Sequence, residues 1–189
     1  MKLIVTAFRM FMFLSVLTGA CYPLIVTAIA HGMFEAKAGG SFIDHRNQVV
    51  GSALVAQNFE SEKYFWPRPS GSSFNPLPSS GVNQSQISAV LKTTFDERKL
   101  KLKAAHPDAG EPPQDLLFSS GSGLDPEISP AAARYQISRV ARARSISVEQ
   151  VASLVDKFSN KRQLGFLGEP RVNVLILNIA LDEHQGGGP

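Results

Sequence analysis

The run from Met10 to Ala30 constrains this chain more than any other feature: it contains no charged residue, and all 16 acidic residues of the protein come after it. A spanning helix needs roughly 20 apolar residues to cross a hydrocarbon core about 30 Å thick, and this run has that length. One span is predicted, over residues 10–30, and no second apolar run qualifies. Pro23 sits inside it and leaves the carbonyl four residues back without its helical donor. A neighbouring helix, Thr18 or Ser15 is the expected source of compensation. A proline there suits a helix packed on partners better than a lone anchor, so Pro23 is expected to dock against another chain.

A cleaved leader is the competing reading. Lys2 and Arg9 make a basic start, Met10 to Leu17 an apolar core, and Thr18-Gly-Ala-Cys21 resembles a lipoprotein cleavage box. On that alternative the chain is an independent periplasmic lipoprotein or binding module anchored through Cys21. The apolar run nevertheless continues through Tyr22 to Ala30 where a leader would turn polar, so the uncleaved helix is expected. Lys2 and Arg9 precede the span, against Lys37 and the more distant Arg46 after it, a small bias that puts the N-terminus inside. Residues 1–9 are then cytoplasmic, 31–184 an extracytoplasmic soluble domain, and 185–189 a Gly-rich disordered tail. The only cysteine, Cys21, lies in the span, which agrees with a domain exposed to an oxidising compartment.

Charge excludes one class of function. Removing Lys2 and Arg9 from the 19 basic residues leaves 17 against 16 acidic ones, so the soluble part is close to neutral and carries no nucleic-acid footprint. Its length is that of one ordinary domain.

The domain's element pattern is mixed. Phe42 to His45 and Val49 to Gln57 read as a hairpin about Arg46-Asn-Gln48. Trp66 to Gln84, with Pro67, Pro69, Pro76 and Pro78, reads as a long ordered loop or surface arm. Ile87, Val90, Leu91, Phe95 and Leu102 are spaced for one face of a helix that His106-Pro107 ends, and Ala109 to Gln114 is a linker. Ser129 followed by Pro130 opens a helix through Ala143. Ser147 with Gln150 forms a capping box, with Ile146 placed to staple onto Val151. Val172 to Leu181 fits strand or helix, and Asn173 as a cap tilts it to helix. The fold class is α+β: a single N-terminal transmembrane helix followed by one mixed soluble domain.

No self-sufficient chemistry emerges. His31, His45, His106 and His184 show no metal-ligand spacing and are expected as solvated surface residues. Ser119 to Pro126 lacks the lysine and spacing of a P-loop and the Gly-x-Ser-x-Gly pattern of a nucleophile elbow, so its small residues are expected to permit positive φ and close backbone approach. Arg134, Arg139, Arg142 and Arg144 spread around one helix and are expected as a solvated, salt-bridged face, with an anion-binding surface as the alternative. Ile146-Ser-Val-Glu-Gln150 loosely resembles the Leu-Ser-Gly-Gly-Gln signature of ABC transporters but lacks both glycines, and the capping box alone accounts for Ser147 and Gln150. Three consecutive aromatics in Tyr64-Phe-Trp-Pro-Arg-Pro-Ser70 cannot all point inward from a strand, so Phe65 is expected in the core while Tyr64, Trp66 and Arg68 serve docking. The competing reading packs these rings on the domain itself, with Arg68 held by an internal carboxylate.

Several motifs follow one another in a specific order: Tyr22-Pro23 after Thr18-Gly19, Gly51-Ser52-x-Leu54-x-x-Gln57-x-Phe59, Tyr64 to Ser70, Asn75-Pro76, Ser120 to Pro126, Ile128-Ser129-Pro130, Ala131-Ala132, Gln136-x-x-Arg139-Val140-Ala141-x-Ala143-Arg144, and Val172-Asn173-Val174. In this order and over nearly its whole length the chain resembles the C subunits of Kdp-type potassium-transporting ATPases. The resemblance implies a bacterial inner-membrane complex in which a channel-like A subunit carries K⁺, a P-type B subunit hydrolyses ATP, and a small F subunit packs in the membrane. The C subunit is implied to be a non-catalytic accessory component with no cofactor of its own, one that assembles and stabilises the complex and modulates either ATP affinity or K⁺ entry, the latter from a place over the extracellular K⁺ entrance of the A subunit. A family proposal has the glutamine matching Gln150 touch ATP; the expected topology puts the domain on the side without an ATP pool, so tight binding by the domain itself is not expected.

Overall fold

The computed structural model describes residues 1–186, in two units, 1–42 and 43 onward. The α+β expectation holds: one long apolar helix, and a domain of helices with small sheets.

In the first unit, α1 (Lys2–Val16) and α2 (Tyr22–Met33) join through a π turn (Leu17–Cys21) into one helix of 32 residues, long and apolar enough to cross a membrane. At 1.5 Å per residue it extends about 48 Å, beyond the expected 10–30 at both ends. The accommodation of Pro23 is a backbone one. The ladder lengthens before the proline, and the Tyr22 N–H reaches back five residues to the Leu17 carbonyl. Thr18 serves the preceding turn instead, its hydroxyl donating to the Leu14 carbonyl at 2.8 Å. A short α3 (Glu35–Ala38) follows the break at Phe34.

A hairpin of β1 (Phe42–His45) and β2 (Gln48–Ser52) follows, all but its first residue in the second unit. Arg46 and Asn47 both take positive φ, 52° and 62°, the two-residue turn whose twist matches a hairpin. The second strand stops at Ser52, short of the expected Gln57, because the chain folds back. Gln57 donates its Nε2–H to the Val50 carbonyl at 2.8 Å, and a Cβ on Gly51 would sit 1.8 Å from that nitrogen.

Irregular chain then runs to Ser88, which caps α4 (Ala89–Ala105). Ile87 and Val90 stay exposed. Only Leu102 of the expected face is fully buried, with Phe95 half-buried against Phe118. The expected linker 109–114 leads into one turn, α5 (Gln114–Leu117).

The sheet of the core is small: β3 (Glu127–Ile128), β4 (Ser159–Asn160) and β5 (Arg171–Asn173) pair antiparallel in the order β3-β5-β4. Against it pack α6 (Pro130–Arg144) and α8 (Val174–Gly186), and α7 (Val148–Lys157) packs on both of these helices. The expected caps are in place. Ser129 accepts from Ala132 N–H, Ser147 and Gln150 close their box, and α6 ends on Ser145 in the left-handed region. The 172–181 ambiguity resolves as both structures in turn: Asn173 ends β5 and caps α8, accepting from the Ile176 N–H at 3.1 Å. Helix α8 reaches Gly186, into the stretch expected as a tail; residues 187–189 lie outside those described. Phe65, Val140, Val151, Val155, Val172 and Leu177 form the fully buried centre.

Candidate functional site

The core's unusual content is polar. Gln136, Arg139 and Arg144 on α6 and Asn178 on α8 are buried, and all four are spent on the backbone of one loop segment, 62–66. Asn178 Oδ1 accepts from the Phe65 N–H at 2.8 Å and its Nδ2–H donates to the Phe65 carbonyl at 3.1 Å. Gln136 does the same for Trp66, at 2.8 and 3.1 Å. Two amide side chains thus stand in for a missing β partner, and this irregular segment enters the core with its peptide groups satisfied.

Arg139 fastens the same segment. Its guanidinium donates to the Glu62 carbonyl, to the Tyr64 carbonyl at 3.0 Å, to Gln136 Oε1 at 2.8 Å and to His106 Nε2 at 2.9 Å, and it stacks 4.0 Å from the Trp66 ring centroid. Burial pulls its pKa down to about 10, with Glu62 opposing and Arg142 adding to the shift, so it stays charged at neutral pH. Arg144 donates to the Lys63 carbonyl at 2.6 Å and pairs with Asp182 at 2.7 Å, and the same carboxylate accepts from the Tyr64 hydroxyl at 3.0 Å. Burial, then Asp182, raises the Tyr64 pKa.

The four-arginine expectation is therefore corrected by half. Arg134 and Arg142 make exposed pairs with Asp156 and Asp108, but Arg139 and Arg144 face inward because only a fork of donors can reach several carbonyls at once. The histidine expectation is corrected at His106, which is buried. Its Nδ1 donates to the Leu102 carbonyl at 2.7 Å, leaving Nε2 to accept from Arg139, and its ring lies against Trp66 and Tyr135. His31 and His184 are exposed, and His45 lies 3.6 Å from Glu183.

The structure brings Tyr64, Trp66 and Arg68 onto one segment, half-buried, with Phe65 inward between the first two. Each also has a partner within the domain: Tyr64 on Asp182, Trp66 on Arg139, and Arg68 on Asp125 at 2.8 Å. Beside Trp66 opens a cavity of about 200 Å³ whose lining includes Phe59, Arg68, Phe74, Arg98 and Lys101. That is below the roughly 300 Å³ at which small-molecule sites begin. The Ser119–Pro126 loop behaves as expected: Gly123 takes φ 70°, and a Cβ there would lie 2.6 Å from the Ser80 carbonyl, so two loops meet through bare backbone. Gln150 is exposed on the first turn of α7, its amide engaged with the Ser147 N–H at 3.0 Å, and it neither bonds the 62–68 segment nor lines its cavity. Pro23 belongs to the first unit.

Asn178, Asp182 and His106 were not read as functional from the sequence. The signal for the first two was available in part, since Asn178 and Asp182 are four apart on one apolar helix.

The two halves of this clamp, Tyr64-Phe-Trp-Pro-Arg and Gln136-x-x-Arg139, are motifs already noted, and relatives extend the likeness to the whole chain. The chain is 48% identical over 182 residues to the Potassium-transporting ATPase KdpC subunit of Paraburkholderia xenovorans, covering 94% of this chain and 95% of that one. It is 50% identical over 173 residues to the same-named subunit of Herpetosiphon aurantiacus, covering 89% and 90%, and 47% identical over 191 residues to that of Citrifermentans bemidjiense, covering 98% and 99%. The family model described as K+-transporting ATPase, c chain matches residues 4–183, and with nearly every described element inside that match the chain belongs to the KdpC family.

Proposed function

We propose that this chain is the non-catalytic accessory subunit of an ATP-driven potassium uptake complex, anchored N-terminus inside by residues 10–30, with its domain on the extracytoplasmic side. It assembles with and stabilises a channel-like A subunit, a P-type B subunit and a small F subunit, which handle K⁺ and ATP. Any influence on the affinity for ATP is then indirect, carried through the membrane subunits. Pro23 lies on the helix face that packs against a partner, and Tyr64, Trp66 and Arg68 present a docking edge. The observation that carries the reading is the clamp itself. It holds an aromatic, proline-stiffened segment in one conformation at the domain surface, which lowers the entropy lost on docking.

Arg68→Ala in the full chain, co-expressed with the other subunits, is the test. The Arg68–Asp125 pair is partly exposed on both sides, so the domain's melting temperature should change little while recovery of the intact complex or its K⁺-stimulated ATPase activity falls. Unchanged assembly and activity would remove Arg68 from the docking edge.

A further inference from the structure

All ten residues of 161–170, between β4 and β5, are exposed, yet the segment is ordered. Gln163 and Leu167 exchange both backbone hydrogen bonds at 2.9 Å, and Arg162 closes the base with two bonds to the Glu169 carboxylate at 2.9 and 2.8 Å. The tip between them carries Leu164, Phe166 and Leu167, which are 83, 68 and 47% exposed. Leu164 holds a left-handed backbone, φ 52°, a conformation ordinarily left to glycine or asparagine. A short hairpin thus presents its apolar side chains to solvent in a fixed, strained geometry, the arrangement expected of an anchor awaiting a pocket.

We infer that this hairpin tip is a second docking point, and that it inserts into an apolar depression on another subunit of the same ATPase. Two observations select a protein over a lipid surface. A membrane-binding tip draws on a cluster of unpaired cations. Here Arg162 is neutralised by Glu169 and Arg171 by Glu127, which leaves Lys161 as the one cation of the hairpin without an ion-pair partner among the described residues. The base of the hairpin is also continuous with the docking edge: Glu169 and Arg171 line one open depression together with Arg68 and Asp125. A polar rim with its charges already satisfied around an apolar tip is the anatomy of a protein interface. The inference rests on the accessory-subunit reading for the identity of its partner and for the docking edge beside it.

The test uses the full chain co-expressed with the other subunits. With Phe166 replaced by the photo-crosslinker benzoylphenylalanine, illumination of membranes should join the chain to another subunit, identified by mass spectrometry. A variant carrying Leu164→Ser, Phe166→Ser and Leu167→Ser should keep its melting temperature and co-purify about ten-fold less. Adducts only with lipid or with a second copy of the chain, or undiminished co-purification of a folded variant, overturn the inference. If the variant fails to fold, the crosslink on the otherwise native chain decides alone. A native chain that does not co-purify with the other subunits sinks the accessory reading and this one together, whereas co-purification without an inter-subunit adduct sinks only the hairpin.

Discussion

Segments 62–66 and 161–170 are both irregular chain between regular elements, and they are held in opposite ways. The first is fastened from outside, by four buried side chains of α6 and α8 that reach its peptide groups. The second is fastened only to itself, and its largest side chains meet water. Buried polar groups are costly unless every partner is present, so a domain that commits Gln136, Arg139, Arg144 and Asn178 to one loop has made that loop part of its core. The other hairpin carries no comparable share of the fold, which leaves its surface available for a partner.

The sharpest way to break this comparison is Arg139→Met. It removes the donor to two carbonyls, to Gln136 and to His106, and leaves the last two side chains buried. Each buried acceptor left without its donor costs about 1–3 kcal/mol, and several are stranded at once, so the total should reach about 3–5 kcal/mol. Urea unfolding should show a loss in that range, and a loss under about 1 kcal/mol would show that the clamp is ornamental. Asn178→Ala is the next step down. It strips both hydrogen bonds from Phe65 but leaves Trp66 held, for an expected about 1–3 kcal/mol by the same measurement.

How much of this was legible depends on how local the cause is. Caps at Ser129, Ser147 and Asn173 are short-range chemistry and could be read from spacing alone. The arginines were misread because four on one helix look like a charged face, yet position resolves them. At about 100° per residue, Arg139 and Arg144 flank the arc that holds Ala132, Ala133, Gln136 and Val140, each about 20° beyond one edge, while Arg134 and Arg142 fall opposite. The end of β2 at Ser52 and the burial of His106 had no such signal. Each depends on a partner distant in sequence, Gln57 folding back in one case and Arg139, 33 residues away, in the other. For the segment 64–70, alternation correctly separated Phe65 from its neighbours. The intramolecular partners Asp182 and Asp125 were invisible because they come from other elements.

The clamp should also make the domain sensitive to acid. His106 is held neutral, its pKa lowered by burial first; the Leu102 carbonyl opposes this, Arg139 and Arg142 add to it, and Glu62 opposes. A base whose folded pKa is depressed contributes stability that is complete above its unfolded value of about 6.5 and is lost as pH falls through that value toward the folded one. Thermal midpoints should therefore decline below about pH 6.5, and His106→Gln, which can still accept from Arg139, should flatten that decline. An equal pH slope in both proteins would assign the acid sensitivity elsewhere.

The smallest expected effect sits at the other pole of the comparison. Glu169→Gln breaks the ionic closure of the 161–170 hairpin, where Glu169 and Arg162 are both well exposed. An exposed pair contributes about 0–1 kcal/mol, so the unfolding midpoint of the domain should scarcely move. Local order is a different quantity, since regions open with their own free energies below the global one. Amide exchange at Gln163 and Leu167 should quicken, because their two mutual bonds lose the clasp beneath them, while exchange at Val172, paired in register with both Ile128 and Ser159, should stay as it was. Faster exchange spreading into β5 would mean that the hairpin is part of the core sheet after all, and that the two segments differ in degree and not in kind.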